Sequence, residues 1–199
     1  MHDEILKDIS KGKVSKIIFD FDYTLTSKDS NSSIGVFNNY LPKAYYRKKK
    51  FLDFLTFIAF SKYSYKIIWK LKLKLLSLYF KKDLINNIDI ANEFKPNAIV
   101  IDILSNAIKN NIDVLIYSSG IEEIILKFLE INSIDKNNIR IIANKLNNVN
   151  LSKIITPKKD KLWFKQEENI ILIGDKRDDL KIVDKAIKIL IKNDKLLEV

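Results

Sequence analysis

Ile17-Ile18-Phe19-Asp20-Phe21-Asp22-Tyr23-Thr24-Leu25-Thr26 decides how this sequence folds and where its chemistry lies. The apolar run 17–19 reads as a strand that delivers Asp20 and Asp22 at its end. Side chains alternate along a strand, so an extended backbone through Phe21 turns both carboxylates towards one pocket. Like charges that close repel and raise each other's pKa unless a cation or a proton lies between them. The pair therefore points to a hard metal such as magnesium, or to a nucleophile beside an acid/base group. A strand followed by an Asp-rich turn is the plainer alternative. The position of the pair after an apolar strand, with Thr24 and Leu25 following, weighs against it.

Outward from this stretch, strands alternate with helices. Residues 1–13 read as a short polar helix or arm ending at Gly12, and 26–33 as a polar turn. From 34 to 94 the pattern changes. Pro42 can open a helix, and 51–60 and 65–80 read as amphipathic helices. In the second, Ile67, Leu71, Leu75 and Leu78 recur at helical spacing, and Trp69, Leu73 and Leu76 widen that apolar face. Lys62, Lys66, Lys70 and Lys74 form a row on another face. The Leu-Lys-Leu-Lys-Leu alternation at 71–75 also suits a strand, but the length of the stretch favours a helix.

After Pro96 the pattern predicts a helix at 97–109 and a strand at 114–117 that runs into Ser118-Ser119-Gly120. A helix at 121–131, a strand at 139–143 and a hairpin-like excursion at 144–153 follow. The order ends with a short helix within 157–166, a strand at 170–173 leading to Gly174-Asp175, a helix at 180–186 and a last strand at 187–191. This order predicts an α/β fold: a Rossmann-like, mostly parallel sheet with helices on both faces. Ligands in such sheets bind beyond the carboxyl ends of the strands. Asp20/Asp22, Ser118/Ser119 and Asp175/Asp179 all fall at such ends.

Composition narrows the chemistry. The chain has 199 residues, 47% of them hydrophobic, which suits one core domain with a smaller insert. It has no cysteine, so disulfides and thiolate metal sites are excluded. The single histidine, His2, sits near an end expected to be mobile, which argues against histidine catalysis. The charged N-terminus has no apolar signal core. The most apolar stretch, 51–60, contains Asp53 and is shorter than the roughly 17–25 residues of a membrane span. A soluble, cytoplasmic protein is expected. The net charge of +10, nearly all lysine, favours anionic partners. A general richness in Lys, Asn and Ile accounts for most of that charge on this reading. Only Arg47, Arg140 and Arg177 offer bidentate contacts to phosphate.

Four elements together resemble the motifs of the haloacid dehalogenase (HAD) superfamily. Residues 17–26 resemble motif I, Asp-x-Asp-x-Thr after an apolar strand. Val114-Leu115-Ile116-Tyr117-Ser118-Ser119-Gly120 resembles motif II. Thr156-Pro157-Lys158-Lys159-Asp160-Lys161 supplies the motif III lysine, and Gly174-Asp175 with Asp178-Asp179 resembles motif IV. The helical insert is similar to a type C1 cap of the phosphoserine phosphatase-like branch. The resemblance implies a HAD core at 1–30 and 95–199 with an inserted α-helical C1 cap at 31–94.

It also implies roles. Asp20 would be the nucleophile and Asp22 the general acid and base. Mg2+ would be held by Asp20, Asp175 and Asp22, the last through its main-chain carbonyl, with Asp179 supporting. Ser118, Ser119, Gly120 and Thr24 would bind phosphate, and Asp29 would contact the leaving group or a substrate amine, with a turn or helix-cap role as its alternative. Capping the following helix is the alternative for Ser118 and Ser119, and Asp178 reads as a helix cap. Lys159 is the preferred motif III lysine, with Lys158 and Lys161 as alternatives. Tyr23 stands where relatives often have glycine and would crowd the pocket entrance.

The function expected is a magnesium-dependent phosphomonoesterase acting through an aspartyl-phosphate on a small metabolite. Phosphoserine, a nucleotide, or a sugar or amino-alcohol phosphate would fit. One alternative is a lipid phosphatase of the phosphatidylglycerophosphatase type, its basic, aromatic cap lying on an anionic membrane, although a soluble lid is preferred. Another is a non-catalytic, nucleic-acid-binding module on the same fold. The acidic motifs argue against that, because they repel phosphate unless a metal intervenes. Oligomeric state and the choice between hydrolysis and phosphotransfer stay open.

Overall fold

The apolar run before Asp20 becomes β1, Lys16–Phe19, with all four residues buried. A computed structural model gives the fold and describes residues 1–58, 62–79, 88–146, 154–156, 160–162, 169–192 and 195–199. β1 lies between β2 (Asp113–Ile121) and β4 (Ile170–Gly174) and is parallel to both. With β3 (Ile139–Asn144), β5 (Ile187–Lys192) and β6 (Lys195–Glu198), the sheet order is β3-β2-β1-β4-β5-β6. Only the last pair is antiparallel. Central parallel strands are covered on both faces, which is why 17–19, 114–117 and 170–173 are unbroken apolar runs.

Strand alternation divides the interior into two cores. Ile17, Phe19, Val114, Ile116, Ile171 and Ile173 face one; Ile18, Leu115, Tyr117, Ile170 and Leu172 face the other. The first core receives α1 (His2–Ser10) through Ile5 and Ile9. α4 (Ala98–Lys109) adds Val100, Ile103, Leu104 and Ala107, and α5 (Glu122–Ile131) adds Ile124, Ile125, Phe128 and Leu129. His2 is not on a loose end. It lies in α1, with Nε2 3.0 Å from Asp102 Oδ2 on α4.

The insert leaves and rejoins the core at one place. Thr26 bridges Pro96, Ser27 N donates to the Lys95 carbonyl (2.7 Å), and Asn31 N donates to the Glu93 carbonyl (3.0 Å). Between these points run a 3-10 turn (Gly35–Asn39), α2 (Lys43–Ile58), α3 (Lys62–Tyr79) and a one-turn helix (Ile90–Glu93). The carbonyl of Pro42 accepts from the amides of Tyr45 and Tyr46 and so starts α2. The alternating 71–75 segment is helical. However, α3 buries Trp69, Leu73 and Leu76, while Ile67, Leu71 and Leu78 are exposed. Of the broad apolar face expected, only the part formed by Trp69, Leu73 and Leu76 packs into the core. α2 and α3 are tied by Asp53, which accepts from Lys49 (3.0 Å) and from Lys72. Burial lowers the Lys49 ammonium pKa, and the neighbouring Lys72 charge adds to that.

Two further expectations fail. Residues 180–186 are not a helix; only Asp179–Lys181 forms a 3-10 turn. The Ile182 carbonyl is used by Leu162 N (2.7 Å), and Leu180, Ile182 and Val183 are buried in the second core. The chain also does not end on a single strand, because β6 returns along β5. The excursion expected at 144–153 and the helix within 157–166 lie largely outside the described residues. Residues 160–162, which are described, are not helical. Among the described residues, no helix is long and apolar enough to cross a membrane.

Candidate active site

The site lies at the carboxyl ends of β1, β2 and β4. Asp20 follows β1 directly, with extended backbone (φ −75°, ψ 165°), and its amide donates to the Ile173 carbonyl of β4. Phe21 then turns into the core. Its ring is fully buried, edge-on to Phe128 (5.2 Å between centroids) and 6.1 Å from Phe94. That anchor fixes the backbone on either side of it and hence both aspartates.

Tyr23 is left-handed (φ 62°, ψ 12°), a conformation glycine adopts freely and a tyrosine adopts under strain. The left-handed turn is the physical reason this position favours glycine. Thr26 Oγ1 accepts from Tyr23 N at 2.8 Å and holds the turn closed.

Asp20, Asp175 and Asp179 each offer a carboxylate oxygen, and the three oxygens lie within 4.8 Å of one another. Asp20 is 9% exposed and Asp179 5%. Asp175 Oδ1 is buried with no hydrogen-bond partner among the described residues. Burial pushes the Asp175 carboxyl up to about 7; Lys176 opposes the shift, and the charges of Asp20 and Asp179 add to it. Three crowded carboxylates, one with an orphaned oxygen, fit a hard cation with oxygen ligands. Asp179, expected only to support the site, contributes its carboxylate directly to this cluster.

The Asp22 carboxylate is not part of the cluster. Ser33 N donates to its Oδ1 (2.7 Å) and Ser33 Oγ to its Oδ2 (2.9 Å). Ser33 thus holds the second aspartate of the motif, while the first joins the carboxylate cluster. Ser33 belongs to the polar stretch that opens the insert, and sequence reading missed it. It reaches Asp22 because Gly120 makes room: a Cβ at Gly120 would stand 2.1 Å from Ser33 Oγ. The space that glycine leaves at 120 is filled by the Ser33 hydroxyl.

Ser118–Gly120 form an irregularity in β2, between the paired residues Tyr117 and Ile121. Ser118 is buried, and its Oγ accepts from Gly120 N (2.9 Å). Neither Ser118 nor Ser119 caps α5, whose N-cap residue is Ile121. Asn144, at the end of β3, secures the irregularity. Its Nδ2 donates to the carbonyls of Ser119 (2.6 Å) and Ile155 (2.8 Å), and its Oδ1 accepts from Ile155 N.

Thr24 Oγ1 is buried without a hydrogen-bond partner among the described residues, so it is free to donate. Asp29 is exposed on the turn spanning 27–30. Asp178 precedes the 3-10 turn but makes no side-chain cap bond and pairs instead with Lys181. Lys161 is committed to an exposed ion pair with Asp184 (2.7 Å). Lys158 and Lys159 lie outside the described residues. Tyr23, Lys28, Ser30, Asp175, Lys176 and Lys192 line a cavity of about 480 Å3 beside the carboxylates. Tyr23 is therefore a pocket-wall residue.

No family model matches the chain, and no curated protein matches it in sequence. Solved structures do. Cytosolic 5′-nucleotidase IIIB bound to cytidine superposes with a TM-score of 0.67 at 18% identity, over 93% of this chain and 76% of its own. The chain shares the α/β fold of that nucleotidase. DsGPDH of Dunaliella salina matches over the same 93% of the chain but only 32% of its own length, with a TM-score of 0.54 and 18% identity. A phosphoserine phosphohydrolase-like protein from Francisella tularensis covers 85% of the chain at 19% identity, with a TM-score of 0.48. At these identities the likeness is one of fold, and the reaction has to be argued from the site's own residues.

Proposed function

We propose that this chain is a magnesium-dependent phosphomonoesterase acting through an aspartyl-phosphate on Asp20. The observation that supports it most is the division of labour at the sheet edge. Asp20 joins Asp175 and Asp179 in one cluster, while Asp22, two residues on, is held apart by Ser33. A nucleophile beside a cation and a separate acid/base group is what transfer of a phosphoryl group to a carboxylate requires.

Asp20 attacks phosphorus as the bond to the leaving oxygen breaks, and protonated Asp22 gives its proton to that oxygen. In the second half, Asp22 takes a proton from water. The water oxygen bonds phosphorus and the bond to Asp20 breaks. Inorganic phosphate leaves with Asp20 free and Asp22 protonated again. Magnesium, held by Asp20, Asp175 and the Asp22 main-chain carbonyl with Asp179 beside it, would offset charge on the phosphoryl group. Thr24 and Ser118 supply hydroxyl donors, and Lys159 is the preferred cation against the developing charge.

Residues 31–94 form a C1-type cap over a core of 1–30 and 95–199. The cavity walled by Tyr23 with Lys28 and Lys176 suits an anionic or ring-bearing leaving group. A nucleoside monophosphate and a phosphorylated amino acid or sugar both remain in that class. A lipid phosphate is the second reading, favoured by the exposed apolar face of α2 and α3. A cytoplasmic location suits either substrate. The test is hydrolysis of an aryl phosphate with and without magnesium, by wild type and Asp20→Asn. Metal-dependent turnover lost in the variant supports the proposal; equal turnover by both proteins sinks it.

A further inference from the structure

The charge of this chain is concentrated in one place. Ten of the 35 basic residues lie within 43–79, but only one of the 25 acidic ones, Asp53. The two helices therefore hold +9 of the net +10, and the remaining 162 residues are almost neutral. General composition does not produce such a segregation. The single acid of the segment is spent on Lys49 and Lys72, both buried, so the outer face has no negative charge of its own.

Both helices also hold large apolar side chains out in solvent. Phe57 is 89% exposed, Leu78 71%, Phe51 61% and Phe54 59%. Phe51, Leu52, Leu71, Leu75 and Leu78 line an open groove of about 570 Å3 between α2 and α3, with Arg47, Lys48 and Lys74 around it. A contiguous exposed apolar patch with a charged rim marks an interaction surface.

We propose that the outer face of α2 and α3 docks on an anionic lipid bilayer. Aromatic and aliphatic side chains on one side of a basic helical surface enter the region between headgroups and acyl chains. Lysines around them meet the negative headgroups, which adds attraction that falls with salt. Neither helix spans the membrane. A second copy of the chain is a poorer occupant, because it brings an equal positive charge to the contact. Nucleic acid answers the charge but leaves the phenylalanines and the groove unpaired. The inference stands on the charge and exposure of these helices and does not depend on the phosphatase reading.

The test is flotation of the full chain with vesicles of phosphatidylcholine alone and of equal parts phosphatidylcholine and phosphatidylglycerol. Binding is expected to the anionic vesicles only and to weaken as salt rises. Phe51→Ser with Phe57→Ser, both at exposed positions, is expected to weaken it at least tenfold and leave aryl phosphate turnover unchanged. Lys48→Gln and Lys74→Gln should each weaken it about fivefold. Circular dichroism checks that the variants are folded. Failure of folded wild type to float with anionic vesicles overturns the proposal. So does full binding by the phenylalanine variant, or salt-sensitive binding to duplex DNA without vesicle binding. Dimerisation in light scattering that the phenylalanine variant abolishes, again without vesicle binding, gives the face to a second copy and equally overturns it.

Discussion

The sheet core and the α2–α3 pair are built from similar residues put to opposite use. In the core, apolar runs are hidden on both faces of a parallel sheet, and charge appears only at the strand ends, gathered as carboxylates. In the helical pair, large apolar side chains stand in solvent and the charge is positive. The core uses its hydrophobic surface for folding and crowds its negative charge at the strand ends. The helices keep part of theirs unspent, which is the property of a surface waiting for something to cover it.

The sharpest way to break the contrast is to remove a large side chain from each region. Phe128 is fully buried against Phe21, so Phe128→Ala is expected to destabilise by about 3–5 kcal/mol in urea unfolding. A loss below about 1 kcal/mol would mean that the catalytic turn is not anchored as described.

Next comes the carboxylate cluster. The folded-state pKa of Asp175 is about 7, raised above its usual value of 3.8. The folded protein then binds the proton that the unfolded chain has already released. The stability contributed by this group is therefore full below about pH 4 and is lost as pH rises towards 7. Metal-free protein should lose about 2–4 kcal/mol over that window through this group, after allowing for solvent screening. Asp175→Asn should remove that part of the pH dependence, and magnesium should restore stability to wild type at pH 8 but not to the variant. Parallel pH profiles for the two proteins would contradict the crowded cluster.

Gly120→Ala tests the seam between the regions. The new Cβ would collide with Ser33 Oγ, so about 1–3 kcal/mol is expected from thermal unfolding. A fall in turnover should accompany it as Ser33 leaves Asp22. Normal stability and activity together would place Ser33 elsewhere. The smallest effect belongs to Phe57→Ser, within about 0.5 kcal/mol of wild type, because its ring has little to lose on exposure. A large loss would show that the ring is packed and that the face is not open.

Most of the core was legible because parallel strands announce themselves as apolar runs with polar ends. Asp20 and Asp175 meet because each follows directly on such an end, and Asp179 joins them from the 3-10 turn after β4. What escaped the sequence depends on how separate segments meet. Ser33 is an unremarkable serine until the insert folds back over Gly120. Asn144 gains its role only when β3 stands beside the irregular end of β2. In α3 both apolar stripes obey helical spacing, and periodicity alone does not say which one finds the core. The strain at Tyr23 is legible only as an unusual residue where glycine is common, and the left-handed φ supplies its cause.

The central claim is that Asp20 is the group phosphorylated. Intact-mass measurement of acid-quenched protein, incubated with aryl phosphate and magnesium, tests it directly. Asp22→Asn should slow release of the phosphoryl group and accumulate a protein heavier by one phosphoryl group. The double variant Asp20→Asn/Asp22→Asn should show no adduct. An adduct that survives loss of Asp20, or one that maps to another residue, would contradict the account.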